Sequence, residues 1–273
     1  MMRRWLDKIG FGLVVFVMMT PAVSVFLWML SLSLKNEIDN LTYPPVFIPS
    51  PPTFANFRAV FEQNPFALYF WNSIVVSGLA TLAALLVGVP AGYGIARLRA
   101  RKLLVLILIA RMTPGLSFLI PLFTLFQWLG WIGTLAPIVV THLVITLPIV
   151  VYVMAGYFET LPLELEEAAV VDGCDTWQRF RYVALPLARP GIVVGTILSF
   201  IFSWNNFIFG AVLAGRETRT LPVAVYNVLT FEQIAWGPLA AAALVVTLPV
   251  LILTVLIQKE IVTGLTAGSV KGG

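Results

Sequence analysis

One cysteine and one histidine in 273 residues leave little for metal or thiol chemistry. Cys174 alone excludes an internal disulfide and a multi-cysteine cluster. With His142 as the sole imidazole, no zinc-protease ligand set can be assembled. Charge is also sparse, at 11 % of residues. No apolar stretch carries the paired acids that an intramembrane hydrolase or a cation-coupled carrier uses, and no carboxylate relay accompanies His142 for proton coupling. There is no G-x4-G-K-[ST] phosphate loop, so nucleotide hydrolysis is not encoded in this chain.

What the chain has is apolar length. Hydrophobic residues make up 59 %, with 19 Phe and 8 Trp, and the mean hydropathy is +0.95. These values indicate an all-α polytopic membrane protein. Residues 1–8 form a basic amino-terminal segment, and residues 9–258 form a six-span domain. The expected spans are 9–34, 67–96, 103–129, 135–158, 191–214 and 238–257, with a tail over 259–273. The first is too long for a signal-peptide core and lacks a small-x-small cleavage site, so it is read as retained. Between the first two spans, Pro44, Pro45, Pro49, Pro51 and Pro52 oppose helix and suit an ordered loop. Phe54, Phe57, Val60 and Phe61 follow at helical spacing.

Basic residues fix the expected orientation. Arg3, Arg4, Lys8, Arg97, Arg99, Arg101, Lys102, Arg179, Arg181, Arg189, Lys259 and Lys271 fall on one side of this arrangement. Lys35, Arg58, Arg216 and Arg219 fall on the other, and Arg111 lies within a span. That asymmetry places both termini in the cytoplasm, together with the loop over 159–190.

This loop is the one long polar island. Pro162 suits a first helical position, and Glu164, Glu166 and Glu167 complement the positive end of a helix dipole. Ala168 and Ala169 let another surface approach the backbone. Asp172 and Gly173 close the helix, with Gly173 supplying a left-handed stop. Asp175 and Gln178 make a capping box that starts a second helix running to Leu185 and Pro186. Cys174 is read as a small residue in the turn.

Glu167-Ala168-Ala169, Gly173 three residues on, and Val183-Ala184-Leu185-Pro186 after nine more resemble the E-A-A-x3-G-x9-I-x-L-P loop of permease subunits of binding-protein-dependent ABC importers. Further stretches resemble the carbohydrate-uptake branch of that family, in particular its shorter six-span permease in maltose-type systems. They are Asn72-Ser73-Ile74, Gly92-Tyr93-Gly94-Ile95-Ala96-Arg97, Arg111-Met112-Thr113-Pro114, Ser203-Trp204-Asn205-Asn206-Phe207 and the tail Gly264 to Gly272. The resemblance implies a type I importer fold in which the loop is a cytoplasmic coupling helix, with Glu167 a candidate to pair with a basic residue of an ATPase. It also implies a heterodimer with a second permease subunit, two ATPase subunits, and an extracytoplasmic solute-binding protein that delivers a sugar, oligosaccharide or sugar alcohol. This chain itself would bind no cofactor, ATP and Mg being held by the ATPase, and it would reside in the inner membrane of a prokaryote.

Within the spans, a charged group in hydrocarbon costs at least about 2.5 kcal/mol, so Arg111 should face the bundle interior or a wet cavity. It either bonds to carbonyls freed by Pro114 or lines the path of the solute. His142 reads as a buried, hydrogen-bonded histidine. Asn72, Asn205 and Asn206 are interhelical bonding groups or, next to an aromatic, partners for sugar hydroxyls. The run from Leu221 to Leu229 is amphipathic and suits either the membrane interface or a docked protein. The rival readings are a permease for another solute class, a secondary carrier working alone, and a membrane enzyme.

Overall fold

The computed structural model describes residues 2–63, 65–228 and 235–269, the side chains of residues 2–7, 63 and 257–269 excepted. Fourteen α-helices and one π-helical segment follow one another among these residues: α1 (Met2–Ser33), α2 (Glu37–Asn40), α3 (Ala55–Gln63), α4 (Phe66–Arg97), α5 (Arg101–Met112), α6 (Gly115–Trp128), α7 (Ala136–Thr160), α8 (Glu164–Val171), α9 (Thr176–Arg179), the π segment Phe180–Ala184, α10 (Leu185–Leu187), α11 (Arg189–Trp204), α12 (Ile208–Leu213), α13 (Leu221–Val228) and α14 (Trp236–Ser269). No strand occurs among the described residues. Among the described residues, four helices are long and apolar enough to cross a membrane, and two bent pairs bring the number to six if each pair is one span.

The helices depart from the expected spans at several points. The third span is two helices bent by 82°, because Pro114 has no N–H and holds Thr113 extended at φ −62°, ψ 126°. The fifth stops at Trp204 and resumes at Ile208, and α11 begins at Arg189 rather than Gly191. The last helix runs on to Ser269 through most of the expected tail. Residues 270–273 and Leu229 lie outside the described residues. The proline-rich loop contains a short helix, α2, that its composition did not suggest.

The chain divides into two compact units, residues 1–66 with 225–248, and residues 67–224 with 249–273. In the first, hydrogen bonds organise the loop after α1. Asn56 Nδ2 donates to the carbonyls of Ser33 (2.9 Å) and Lys35 (2.7 Å). The buried Lys35 donates to Val46 O (2.7 Å) and sits over the Trp28 ring (4.7 Å). Glu37 accepts from the free N–H groups of Trp236 (2.8 Å) and Gly237 (2.9 Å) at the start of α14, where a carboxylate also meets the positive end of the helix.

In the second unit α4 packs along α7. A side chain at Gly92 would stand 2.7 Å from Met154 Cβ and 2.9 Å from the Ala155 nitrogen, so the two backbones touch only because no Cβ intervenes. Below that contact Tyr93, Ala96, Val150, Met154, Phe158, Phe180 and Ala184 form one core. A second core joins Val76, Phe126, Ile138, Phe209 and Leu213.

Candidate functional site

The polar island folds by its local signals. At the end of α8, Gly173 (φ +85°) takes the left-handed position, its N–H bonding Val170 O (3.0 Å) while Cys174 N–H reaches back to Ala169 O (2.9 Å). This is the paired closure of a Schellman stop. Asp175 then accepts from Gln178 N–H and Gln178 from Asp175 N–H, both at 2.8 Å, completing the capping box. Two expectations need correction. Pro162 lies before the helix and not at its first position, since α8 begins at Glu164 and Leu163 caps it. The second helix is not regular, because Phe180–Ala184 is wound as a π segment.

Helical phase gives α8 two faces. Glu166 and Ala169, three residues apart, are buried, with Glu166 only 3 % exposed. Glu167, Ala168, Val170, Val171 and Asp172 face outward with Gly173, and Val171 is 88 % exposed. Trp177 and Tyr182 add exposed aromatic surface. Leu185 is half-buried and Pro186 exposed.

The buried carboxylate is tied to the end of α4. Tyr93 Oη donates to Glu166 Oε2 at 2.7 Å. Arg97 places Nε at 2.8 Å and Nη2 at 2.6 Å from Glu166 Oε1, and its Nη1 donates to the Phe158 carbonyl of α7 at 2.8 Å. The Tyr93 ring rests on Phe158 (5.3 Å) and Phe180 (5.0 Å), closing the apolar side. Such charge-assisted bonds fix direction as well as contact. Beside this grouping, a cleft of about 820 Å³ includes Arg99, Arg101, Glu159 and Glu164 in its lining, with Arg101 and Glu159 at 3.8 Å. Nothing in the sequence paired Arg97 with Glu166. The available signal was phase: of two adjacent carboxylates only one can share a face with Ala169, and that one needs a cation.

The polar residues of the spans separate into two groups. Arg111, at the end of α5, lines a cavity of about 280 Å³ with Thr113 and Asn206, its guanidinium 5.2 Å from the Phe202 ring centre. His142 is buried behind it, Nδ1 2.7 Å from Ser203 Oγ and its ring 6.4 Å from Phe209 of the cavity lining. Asn206 Oδ1 accepts from Phe209 N–H (3.3 Å). The others are not brought to this cavity. Asn205 Nδ2 donates to Ile201 O of its own helix (2.9 Å). Asn72 is buried and spends its amide on the carbonyls of Glu217 (2.7 Å) and Arg219 (3.0 Å), while Ser73 Oγ accepts from Leu221 N–H (2.8 Å). Asn72 clamps the loop before α13, whose Leu221, Val223 and Ala224 are buried.

Residues 80–263 match the family described as binding-protein-dependent transport system inner membrane component. The chain is 36 % identical over 205 residues, 74 % of each protein, to the trehalose transport system permease protein SugB of Mycobacterium tuberculosis. It is 34 % identical over 203 residues, 73 % of this chain and 71 % of the other, to the sulfoquinovosyl glycerol transport system permease protein SmoH of Agrobacterium fabrum. Its fold is similar to that of a chain in a bacterial ABC transporter involved in the import of the acidic polysaccharide alginate. That similarity has a TM-score of 0.72 at 22 % identity, covering 94 % of this chain and 96 % of that one.

Proposed function

The chain belongs to the binding-protein-dependent transport system inner membrane components, and from that membership we propose how this particular subunit works and what it moves. It is an ABC importer permease, a transport subunit and not an enzyme. Its solute is a sugar, oligosaccharide or sugar alcohol, a reading supported by the substrates named for SugB and SmoH. It pairs with a second permease subunit as a heterodimer, on two ATPase subunits that hold ATP and Mg, and it receives solute from an extracytoplasmic binding protein. Both termini and the polar island face the cytoplasm.

In this reading α8 is the coupling helix. Closure of the ATPase dimer moves α8, and the spans tilt as rigid bodies between inward- and outward-facing states. Glu167 and Ala168 meet the ATPase, and Glu167 pairs with one of its basic residues. The Arg111–Asn206 cavity, with His142 behind it, lies along the solute path.

The observation that carries this reading is the division of α8 into a face held by its own chain through Glu166 and Ala169 and a face of Glu167, Ala168, Val170, Val171 and Asp172 left open. Glu167→Lys and Gly173→Leu test it. Each should abolish ATP-dependent uptake or recovery of the complex while leaving membrane insertion intact. Unchanged uptake and unchanged complex recovery in both variants would refute the coupling role.

A further inference from the structure

We propose that Glu166, gripped by Tyr93 and Arg97, is a positioning residue for transport: it carries the movement of α8 onto α4. This rests on the reading of α8 as the coupling helix.

The chain itself joins α8 to α7 through residues 161–163, and to α11 through α9, the π segment and α10. It makes no such link to α4. Besides the packing of α4 on α7 at Gly92, α8 reaches that helix through its own Glu166 side chain. Apolar packing of Tyr93 against Phe158 and Phe180 resists separation but has little directional preference. The Glu166 carboxylate adds direction, because one oxygen accepts from Tyr93 Oη and the other from Arg97 Nε, with Arg97 Nη2 in ion contact beside it. Arg97 also holds the Phe158 carbonyl, so a displacement of Glu166 acts on the ends of α4 and α7 together.

What α4 then moves lies at its far end. The helix has 32 residues and is about 48 Å long at 1.5 Å per residue. Near its start, Asn72 and Ser73 hold the 217–221 segment by three hydrogen bonds. One continuous helix thus joins the coupling helix to a loop on the opposite membrane face, with a directional polar contact at each end.

The test uses the complete complex in proteoliposomes, with the ATPase and binding protein that co-purify with this chain. Stimulation of ATP hydrolysis by the binding protein requires a signal to pass through the spans to the ATPase, so weakening a contact on that route lowers it. Glu166→Gln keeps an oxygen for Arg97 but removes the charge. It should lower the stimulation about tenfold, within the usual range of coupling between sites, while complex yield and basal hydrolysis stay at the unmodified level. Tyr93→Phe, which removes one hydrogen bond, should lower it about threefold. The double variant Arg97→Glu/Glu166→Arg should recover part of the loss.

Unchanged stimulation in Glu166→Gln would overturn the proposal. So would a fall in yield, basal hydrolysis and stimulation together in Glu166→Gln and Tyr93→Phe, since that is what a purely structural contact gives. If the unmodified chain co-purifies with no ATPase, or shows no stimulation, the coupling reading itself fails instead.

Discussion

At the scale of single residues, adjacent carboxylates with one chemistry have opposite environments. Glu166 is withdrawn against Tyr93 and Arg97, and Glu167 next to it is open. The family pattern centred on Glu167, which is why the partnered residue was not legible in the motif. Lys35 was counted in the sequence only as an outside charge, yet it is a buried ammonium bonded to Val46 O. Burial pushes its pKa below the usual 10.5, and the charge of Asp39 opposes that shift only in part. The unfolded chain therefore binds more protons between the lowered value and 10.5, so stability should rise with pH across that window. Below it, the cost of burying the charge is fully present. Thermal unfolding in detergent as the pH is raised towards 10.5 should show this gain in the unmodified protein and a smaller one in Lys35→Met.

At the scale of elements, α4 and α7 are held at a distance that glycine sets. Gly92→Val would drive side-chain atoms into Met154 and the Ala155 backbone, and overpacking of this kind costs roughly 1–3 kcal/mol. Gly94, two residues on, has nothing within 4 Å of an added Cβ, so Gly94→Ala should be neutral or gain up to about 1 kcal/mol of helix propensity. A melting-temperature comparison of the two purified variants checks the contrast. The Asp175–Gln178 box, the Gly173 stop and α3 were readable, because each depends on residues within a few positions of one another. The π segment at Phe180–Ala184 and the short α2 were not, since neither carries a composition of its own. The Arg97–Glu166 pair spans 69 positions, and no local pattern encodes such a separation.

At the scale of the whole molecule, apolar length indicated the number of spans but not their straightness. Pro114 and the Asn205–Phe207 break divide two of them, and the polar cavity of Arg111 and Asn206 lies against both interruptions. Orientation can be tested with the chain's own chemistry. Cys174 is the only cysteine and is partly exposed in the polar island. A membrane-impermeant maleimide should label it in inside-out vesicles stripped of peripheral proteins, and should leave it unlabelled in intact cells. Labelling from the outside would reverse the topology. The two-faced α8 also restricts how this region can change. Deleting or inserting a single amino acid at positions 164–165, inside α8, would turn the rest of that helix by about 100° about its axis. Glu167 would then swing away from any docked subunit and Glu166 away from its cation. The start of α8 is thus intolerant of length variation, whereas changes of side chain at its exposed positions leave the register untouched.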